Sequence, residues 1–316
     1  MAVYTPVETQ ALADFLRGYD VGALVCQEGI DEGVSNTSYF VTTTAGEYVL
    51  TLLESPGEED AAYFLELAGF LAARGVPCPR PVPDRDGSPL GRLTGKPAAL
   101  AERLHGQPVV APAPAHCGAI GRALGRLHVA ARDFPRRRAN NRGPRWWRET
   151  IDALRPHLGH GEAALLEEEL RFQALFRFTD LPRGVIHGDL FRDNVLFEGS
   201  TPSGMLDLYD ACDDVLLYDL AVAANDWCSE HDGGLAVDRL RALLSGYHAV
   251  RGLEPVERGA WPVMLRAAAL RFWVSRLRAA HFPRAGSVTP AKDPERFRRV
   301  LEARITRQSE LQAVWV

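Results

Sequence analysis

Residues 187–194 read His187-Gly188-Asp189-Leu190-Phe191-Arg192-Asp193-Asn194 and lie between two short apolar runs. Val185-Ile186 precede this stretch and Val195-Leu196-Phe197 follow it. Short apolar runs on either side of a polar segment that contains glycine are typical of a strand, a loop and a second strand. The pattern therefore predicts an exposed loop, anchored at both ends, that carries Asp189 and Asn194.

Asp189 and Asn194 have the spacing that phosphoryl transfer from ATP requires. Such transfer needs a carboxylate that orients the attacking hydroxyl and oxygen ligands that hold Mg²⁺. After a turn rich in glycine, serine and proline, Met205-Leu206-Asp207-Leu208 predicts a further strand, with Asp207 opposite Asn194. Cross-strand neighbours stand about 5 Å apart, so these two side chains are predicted to share one Mg²⁺. His187 is expected to hold the loop by hydrogen bonding rather than to act as a base.

Each signal also has a purely structural interpretation. A lone H-x-D sequence is often a capped turn, and a lone aspartate after a strand is often a loop carboxylate. Here the strand context, the loop residues and the second carboxylate agree, and this combination favours a catalytic site.

The His-Gly-Asp form, in place of His-Arg-Asp, resembles the aminoglycoside phosphotransferase and choline kinase group. The resemblance extends to Leu124-Gly125-Arg126-Leu127-His128 and to Leu217-Tyr218-Asp219-Leu220-Ala221. It implies an α+β, two-lobed protein-kinase-like fold, with a small antiparallel-sheet N-terminal lobe and a larger, mainly helical C-terminal lobe. It also implies that Asp219 braces the catalytic loop.

Within that group the chain resembles the homoserine kinases. The motifs are Ser35-Asn36-Thr37-Ser38-Tyr39-Phe40, Tyr48-Val49-Leu50-Thr51-Leu52-Leu53-Glu54, Asn225-Asp226-Trp227-Cys228 and Arg271-Phe272-Trp273. Each motif is weak alone, but their order along the chain is specific. The resemblance implies ATP-dependent phosphorylation of L-homoserine in threonine biosynthesis.

One position departs from the protein-kinase pattern. Thr51 stands where protein kinases place a phosphate-binding lysine, and the first lysine in the chain is Lys96. A nucleotide-binding pseudokinase is one explanation, although Asp189, Asn194 and Asp207 are all present. Threonine also occurs at this position in homoserine kinases, which favours the narrower assignment. Glu66 is the expected match to the glutamate that normally pairs with the lysine, or else a solvated helix residue.

The predicted nucleotide contacts come from two segments. Ser35, Asn36 and Thr37 lie in a loop whose side chains and amides could contact phosphate oxygens, although an ordinary polar hairpin loop is the alternative. The resemblance further implies that adenine lies against residues 100–104, with backbone groups near Ala101 and Arg103.

Homoserine is a zwitterion, so its pocket needs a carboxylate donor and an ammonium acceptor. Candidates for the ammonium are Asp210, Asn225 and Asp226, and candidates for the carboxylate are Arg192, Arg271 and Arg276. Asp213 and Asp214 are interpreted as solvated loop charges. A choline kinase would need an aromatic cage, and an aminoglycoside kinase an acidic groove; both remain alternatives.

Composition sets the remaining expectations. A net charge of −5 argues against general nucleic-acid binding. The arginine-rich residues 132–148 are interpreted either as a solvated loop or as a segment that faces the substrate. Five scattered cysteines, no leader pattern and no apolar run of ~18 residues predict reduced thiols, a cytoplasmic location and no membrane span. We expect a nucleotide-binding lobe over residues 1–104 and a catalytic lobe over 105–316. The oligomeric state stays open.

Overall fold

The structure is a computed structural model that describes residues 5–30, 36–54, 57–283, 292–307 and 315. Within these residues the chain forms two compact units. The first contains the described residues up to Gly106 together with Ser203–Tyr209, and the second contains Gln107–Pro202, Asp210–Pro283 and the described residues from Lys292 onwards. The predicted domains were residues 1–104 and 105–316, and this division put Ser203–Tyr209 in the second domain, whereas the structure groups them with the first unit. Their functional assignment stays a prediction.

The first unit combines one antiparallel sheet with two helices. Its elements are α1 (Thr9–Leu16), β1 (Leu24–Gly29), β2 (Thr37–Thr43), β3 (Glu47–Leu52), α2 (Glu58–Ala72), β4 (Gly91–Leu93) and β5 (Lys96–Glu102). The strand order is β1-β2-β3-β5-β4, which places Thr51 opposite Ser38 on one side and Ala99 on the other. Short β-type runs at residues 23–26, 39–43 and 48–53, separated by glycines, predict three strands, and β1, β2 and β3 confirm them.

The start of α1 differs from its prediction. The segment Thr5-Pro6-Val7-Glu8 has the sequence pattern of a helix start with Thr5 as its cap, but the helix begins at Thr9, and no side chain caps it. The Thr5 hydroxyl instead donates a hydrogen bond to Glu54 at 2.8 Å, so a tertiary contact uses the group that the local pattern assigned to a cap. Leu12 and Leu16 of this helix pack in one core cluster with the sheet residues Tyr39, Val41, Leu50, Leu52 and Leu100.

The second unit is larger and mainly helical. Its helices are α3 (Pro114–Ala130), α4 (Pro144–Leu154), α5 (His160–Ala174), α6 (Leu216–Trp227), α7 (Val237–His248), α8 (Pro255–His281) and α9 (Glu295–Thr306). Its strands are β6 (Gln107–Pro108), β7 (Arg183–Ile186), β8 (Val195–Glu198), the beginning of β9 (Thr201–Met205) and β10 (Cys212–Val215). The predicted α+β class is thereby confirmed.

Close helix packing positions the centre of this unit. α3 lies directly against α7, and a Cβ at Gly121 would stand 2.1 Å from the Leu243 carbonyl oxygen. Only glycine permits that approach. Every residue of α6 is buried, including Asp219, Asn225 and Asp226, so these polar side chains need partners inside the protein.

Among the helices of the described ranges, none combines the length and the apolar composition that crossing a membrane requires.

Candidate active site

The loop of residues 187–194 connects β7 to β8, as predicted. β7 runs antiparallel to β10, and its last residue, Ile186, pairs with Cys212. Gly188 has a φ of +78°, and a Cβ there would lie 2.9 Å from the Asp210 carbonyl oxygen. Both the backbone conformation and the close approach therefore require glycine. This is the physical reason for the His-Gly-Asp form.

Asp219 holds the first half of the loop. The His187 N–H donates to Asp219 Oδ2 at 2.7 Å, and the Gly188 N–H donates to Oδ1 at 2.8 Å. His128 Nε2 lies 3.0 Å from Oδ2, and His128 Nδ1 lies 2.7 Å from the Tyr247 hydroxyl. Burial alone would raise the pKa of Asp219, but the hydrogen bond and charge of His128, with the loop contacts, hold that pKa below its ordinary value. Asp219 is thus a fully buried carboxylate that fixes the loop backbone.

Asp226 holds the second half of the loop. Its Oδ2 accepts the Arg192 N–H at 2.8 Å and Arg192 Nε at 3.1 Å. Asp226 lies seven residues after Asp219 on α6, and residues at that spacing share one helix face. From the next position, Trp227 Nε1 donates to the Leu190 carbonyl at 3.0 Å. One face of a buried helix therefore fixes the loop along its length.

The side-chain amide nitrogen of Asn194 points towards Asp189. Asn194 Nδ2 donates to the Asp189 carbonyl at 2.8 Å and to Asp189 Oδ2 at 3.2 Å. These bonds leave the Asn194 side-chain oxygen as the acceptor end of the amide. An amide oxygen is a ligand that suits Mg²⁺, so this residue fits the predicted metal role.

Asp207 lies outside the strand that was predicted to carry it. The chain reverses at Gly199-Ser200, so residues with turn-type side chains already form β9, which begins at Thr201 and ends at Met205, two residues before Asp207. Asp207 follows the strand with a φ of +58°, which is uncommon for a non-glycine residue. The prediction that it faces Asn194 across a strand pair was wrong in its strand placement. Backbone conformations of this kind are often kept at functional sites.

Thr51 belongs to a group of hydroxyls in the first unit. Its Oγ1 lies 3.4 Å from Ser38 Oγ, and its side chain is hydrogen-bonded to Tyr209. Burial, reinforced by the charge of Asp207, raises the pKa of Tyr209, so this phenol stays neutral. The position that holds lysine in protein kinases is therefore occupied here by a neutral, hydrogen-bonded group.

Arg271, on α8, connects Asp189 to Asp210. Arg271 Nη2 donates to Asp210 Oδ2 at 2.6 Å, and Arg271 Nη1 lies 3.9 Å from Asp189 Oδ1. Burial alone would lower the pKa of Arg271, but Asp210, Tyr218 and Asp189 raise it above its ordinary value. The pair of predicted acceptor residues Asp210 and Arg271 thus lies beside the predicted base.

Sequence reasoning missed two arginines in this region. Burial alone would raise the pKa of Asp210, but Arg271, Arg142 and Arg138 together hold it below its ordinary value. Arg138 and Arg142 come from the arginine-rich residues 132–148, and the acidic run after Asp207 was the signal that could have linked the two segments.

The acidic residues of β10 also differ from their prediction. Asp213 and Asp214 were interpreted as solvated loop charges, but both belong to a strand. Asp213 pairs with Arg137 at 2.9 Å, and Asp214 pairs with Arg183 at 3.0 Å. Both residues pair with β7 in the sheet, so they are strand residues with ion-pair partners and not solvated loop charges.

Two predicted acceptor residues, Asp226 and Arg192, lie in a different network. Besides its contacts to Arg192, Asp226 pairs with Arg296 Nη2 at 2.5 Å. Arg192 Nη1 also donates to the Val110 carbonyl at 2.7 Å. Asp226 and Arg192 are therefore committed to each other and to the loop.

Asn225 and Arg276 are likewise engaged with the protein. Asn225 is fully buried, donates to the Leu265 carbonyl at 2.8 Å and accepts from Arg304 Nε at 2.9 Å. Arg276 Nη1 donates to the Asp293 carbonyl at 2.8 Å, and burial lowers its pKa to about 10. We therefore do not propose Arg192, Asn225, Asp226 or Arg276 as contacts of the acceptor.

The predicted phosphate loop is described only in part, because Ser35 lies outside the described residues. The Thr37 hydroxyl donates to Glu54 Oε1 at 2.6 Å, and Asn36 Oδ1 accepts the Glu54 N–H at 3.2 Å. Lys96 forms an ion pair with the same Glu54. Thr37 is fully buried, so its hydroxyl stabilises the end of β3.

The other predicted nucleotide contacts remain predictions. Glu66 is an exposed residue of α2. Ala101 pairs with Val49 in the sheet, and the Arg103 N–H donates to the Glu47 carbonyl at 3.2 Å. That backbone donor of Arg103 is already used within the protein.

Comparisons with known proteins show the family of the chain. Residues 27–253 match the phosphotransferase enzyme family. The chain is 48% identical to the homoserine kinase of Methylobacillus flagellatus, with 100% of this chain and 99% of that protein covered. It is 43% identical to the homoserine kinase of Janthinobacterium sp., with 96% of each covered.

Solved structures show the same fold at low identity. An amicoumacin kinase in complex with AMP-PNP and Ca²⁺ matches with a TM-score of 0.72 at 13% identity, over 97% of this chain and 93% of that one. A spectinomycin phosphotransferase in complex with ADP matches with a TM-score of 0.70 at 13% identity, over 96% of this chain and 99% of that one. The predicted protein-kinase-like fold and the resemblance to homoserine kinases are confirmed. The chain belongs to the phosphotransferase enzyme family.

Proposed function

We propose that the protein is an ATP-dependent kinase that transfers the γ-phosphoryl group to the hydroxyl of L-homoserine, in threonine biosynthesis. The observation that carries this proposal is the fixed loop, which holds the Asp189 carboxylate between the Asn194 amide and Arg271. The substrate identity is supported by relatives named homoserine kinase at 43–48% identity over nearly the whole chain.

Asp189 orients the acceptor hydroxyl and takes its proton as the new O–P bond forms and ADP leaves. Asp219 and Asp226 do not touch substrate in this mechanism. They are positioning residues, because they fix the backbone on either side of Asp189.

The Mg²⁺ ion and ATP are assigned to the residues whose chemistry fits them. Asn194 offers an amide oxygen and Asp207 a carboxylate, which are the hard oxygen ligands that Mg²⁺ prefers. The ion would neutralise phosphate charge, and this role is larger here because Thr51 brings no positive charge. Asn36, Thr51, Ala101 and Arg103 remain the proposed nucleotide neighbours.

The acceptor is assigned to the region around Asp210. Its side chain is 31% exposed and can offer an oxygen to the homoserine ammonium. Arg271 is largely committed to Asp210 and Asp189, so we assign the homoserine carboxylate to Arg142 and Arg138, whose charges act on Asp210. A cytoplasmic location is also proposed, because the five cysteines are free thiols, and a lack of nucleic-acid partners is proposed on the negative net charge.

An acceptor panel tests the proposal. The purified protein is incubated with ATP and Mg²⁺ and, separately, with homoserine, choline, methylthioribose or an aminoglycoside, and ADP release is followed. We expect homoserine to give the highest turnover. ADP release with homoserine equal to the blank, while another acceptor reacts, would overturn the substrate; no reaction with any acceptor would favour a pseudokinase.

A further inference from the structure

A cavity of about 380 Å³ lies in the second unit, and none of the residues assigned above to catalysis or to the acceptor lines it. α4, α5, α6, α8 and β10 contribute its walls, which are mainly apolar and aromatic. The residues that define its character are Trp147, Phe176, Phe178, Tyr218, Val263 and Met264. A cavity of this size and lining suits a small organic molecule.

Two residues that line this cavity carry a buried polar atom without a hydrogen-bond partner among the described residues. These atoms are the Tyr218 hydroxyl and the Trp147 indole nitrogen. The two side chains belong to residues that are 6% and 4% exposed. Buried donors are nearly always satisfied, and a ligand with an acceptor oxygen in the cavity would satisfy them.

The charge around the cavity is positive. Arg148 and Arg177 also line it, both are exposed, and neither has an ion-pair partner among the described residues. Asp214 is a lining residue too, but it already pairs with Arg183 and accepts a hydrogen bond from Asn140. The cavity therefore favours an anion and offers no uncommitted carboxylate to an ammonium group.

The strand register separates the cavity from the catalytic loop. The loop follows Ile186, which pairs with Cys212 at one end of the β7–β10 ladder. The cavity adjoins Val215, which pairs with Arg183 at the other end. Three residues along a strand span about 10 Å. The two sites therefore lie at opposite ends of one ladder.

We propose that this cavity binds a small monocarboxylic acid with an aromatic or branched apolar body. The apolar walls enclose the body, the two orphaned donors and the two arginines contact the carboxylate, and a zwitterion such as homoserine is disfavoured. The proposal is independent of the proposed kinase activity, because it is tested by binding.

Calorimetric titration of the full-length protein with phenylacetate tests the site, with benzyl alcohol as the uncharged analogue. Because charge-assisted hydrogen bonds are at stake, we expect phenylacetate to bind at least about tenfold more tightly than benzyl alcohol. The double variant Arg148→Gln/Arg177→Gln should lose about tenfold in affinity for phenylacetate, whereas the exposed control Arg132→Gln should not.

Tyr218→Phe separates binding from folding. Removing a buried hydroxyl that has no partner should leave the melting temperature unchanged or higher, yet weaken phenylacetate binding by several-fold, on the order of one neutral hydrogen bond. The proposal is overturned by no binding up to about 10 mM phenylacetate, by equal affinity in the variants, or by competition between L-homoserine and phenylacetate.

Discussion

Replacing Asp219 with asparagine removes one negative charge from the support of the catalytic loop and keeps the shape of the side chain. The carboxylate accepts hydrogen bonds from His187, Gly188 and His128. The amide of asparagine can accept at only one of its two ends. Whichever way it is turned, at least one loop or histidine donor then faces an NH₂ group.

The cost follows from the number of donors at each oxygen. Oδ2 receives two donors and Oδ1 receives one, so the less damaging orientation leaves the Gly188 N–H without an acceptor. An unsatisfied buried donor costs about 1–3 kcal/mol, and each of the two remaining bonds loses about 1 kcal/mol of charge assistance. We expect the free energy of unfolding to fall by about 3–5 kcal/mol, or roughly 5–7 °C in Tm for a chain of this length.

The assay combines calorimetric melting with steady-state kinetics. A loop displaced by about 1 Å at Asp189 should lower kcat with homoserine by about 100-fold. The KM for ATP should stay within about twofold, since uniform binding of ATP is not removed. Asp133→Asn, at an exposed position, is the matched control. An Asp219→Asn variant with the kcat and Tm of the wild type would refute the assigned positioning role.

Three further results are expected. Gly188→Ala should lower kcat by at least about tenfold and reduce Tm, because the φ of +78° is strained for alanine and its Cβ would lie 2.9 Å from the Asp210 carbonyl oxygen. Unchanged kinetics in this variant would contradict the loop geometry. Arg271→Lys should reduce kcat/KM for homoserine by about 10- to 100-fold in steady-state assays, because one ammonium cannot replace the guanidinium between Asp189 and Asp210; an unchanged kcat/KM would remove Arg271 from the site. The folded-state pKa of Asp219 is lowered, so the stability that this carboxylate contributes is present above its unfolded pKa of about 3.9 and is lost as pH falls through its folded pKa. The difference in Tm between the wild type and Asp219→Asn should therefore narrow below about pH 4. A difference in Tm that stays constant across that range would contradict the charge assigned to Asp219.

Local pattern was sufficient for much of the fold. β2 and α2 were predictable because each carries buried residues at the period of its own secondary structure, which are alternate residues in β2 and Phe64, Leu67, Ala68 and Leu71 in α2. The start of α1 was not predictable, since the Thr5 hydroxyl bonds to Glu54, which is distant in sequence. The position of β9 was missed for a related reason, because strand pairing outweighed the turn propensity of Thr201 and Ser203.

The sequence likewise predicted some residues of the candidate site and missed others. Asp189, Asn194 and Asp219 could be named from spacing and resemblance, because the loop is continuous in sequence. The commitment of Asp226 to the loop backbone could not be foreseen, since it depends on α6 being buried along its whole length. Arg142 was missed because its charge acts on Asp210 through tertiary packing.

The most direct test of the account is the formation of O-phospho-L-homoserine, followed by phosphorus NMR, with wild type and Asp189→Asn in the presence of ATP and Mg²⁺. We expect the wild type to form this product from homoserine and the variant to be slower by about 100- to 10,000-fold, with an unchanged melting temperature and unchanged nucleotide affinity. No product with the wild type, or a variant rate within about tenfold of it, would contradict the account.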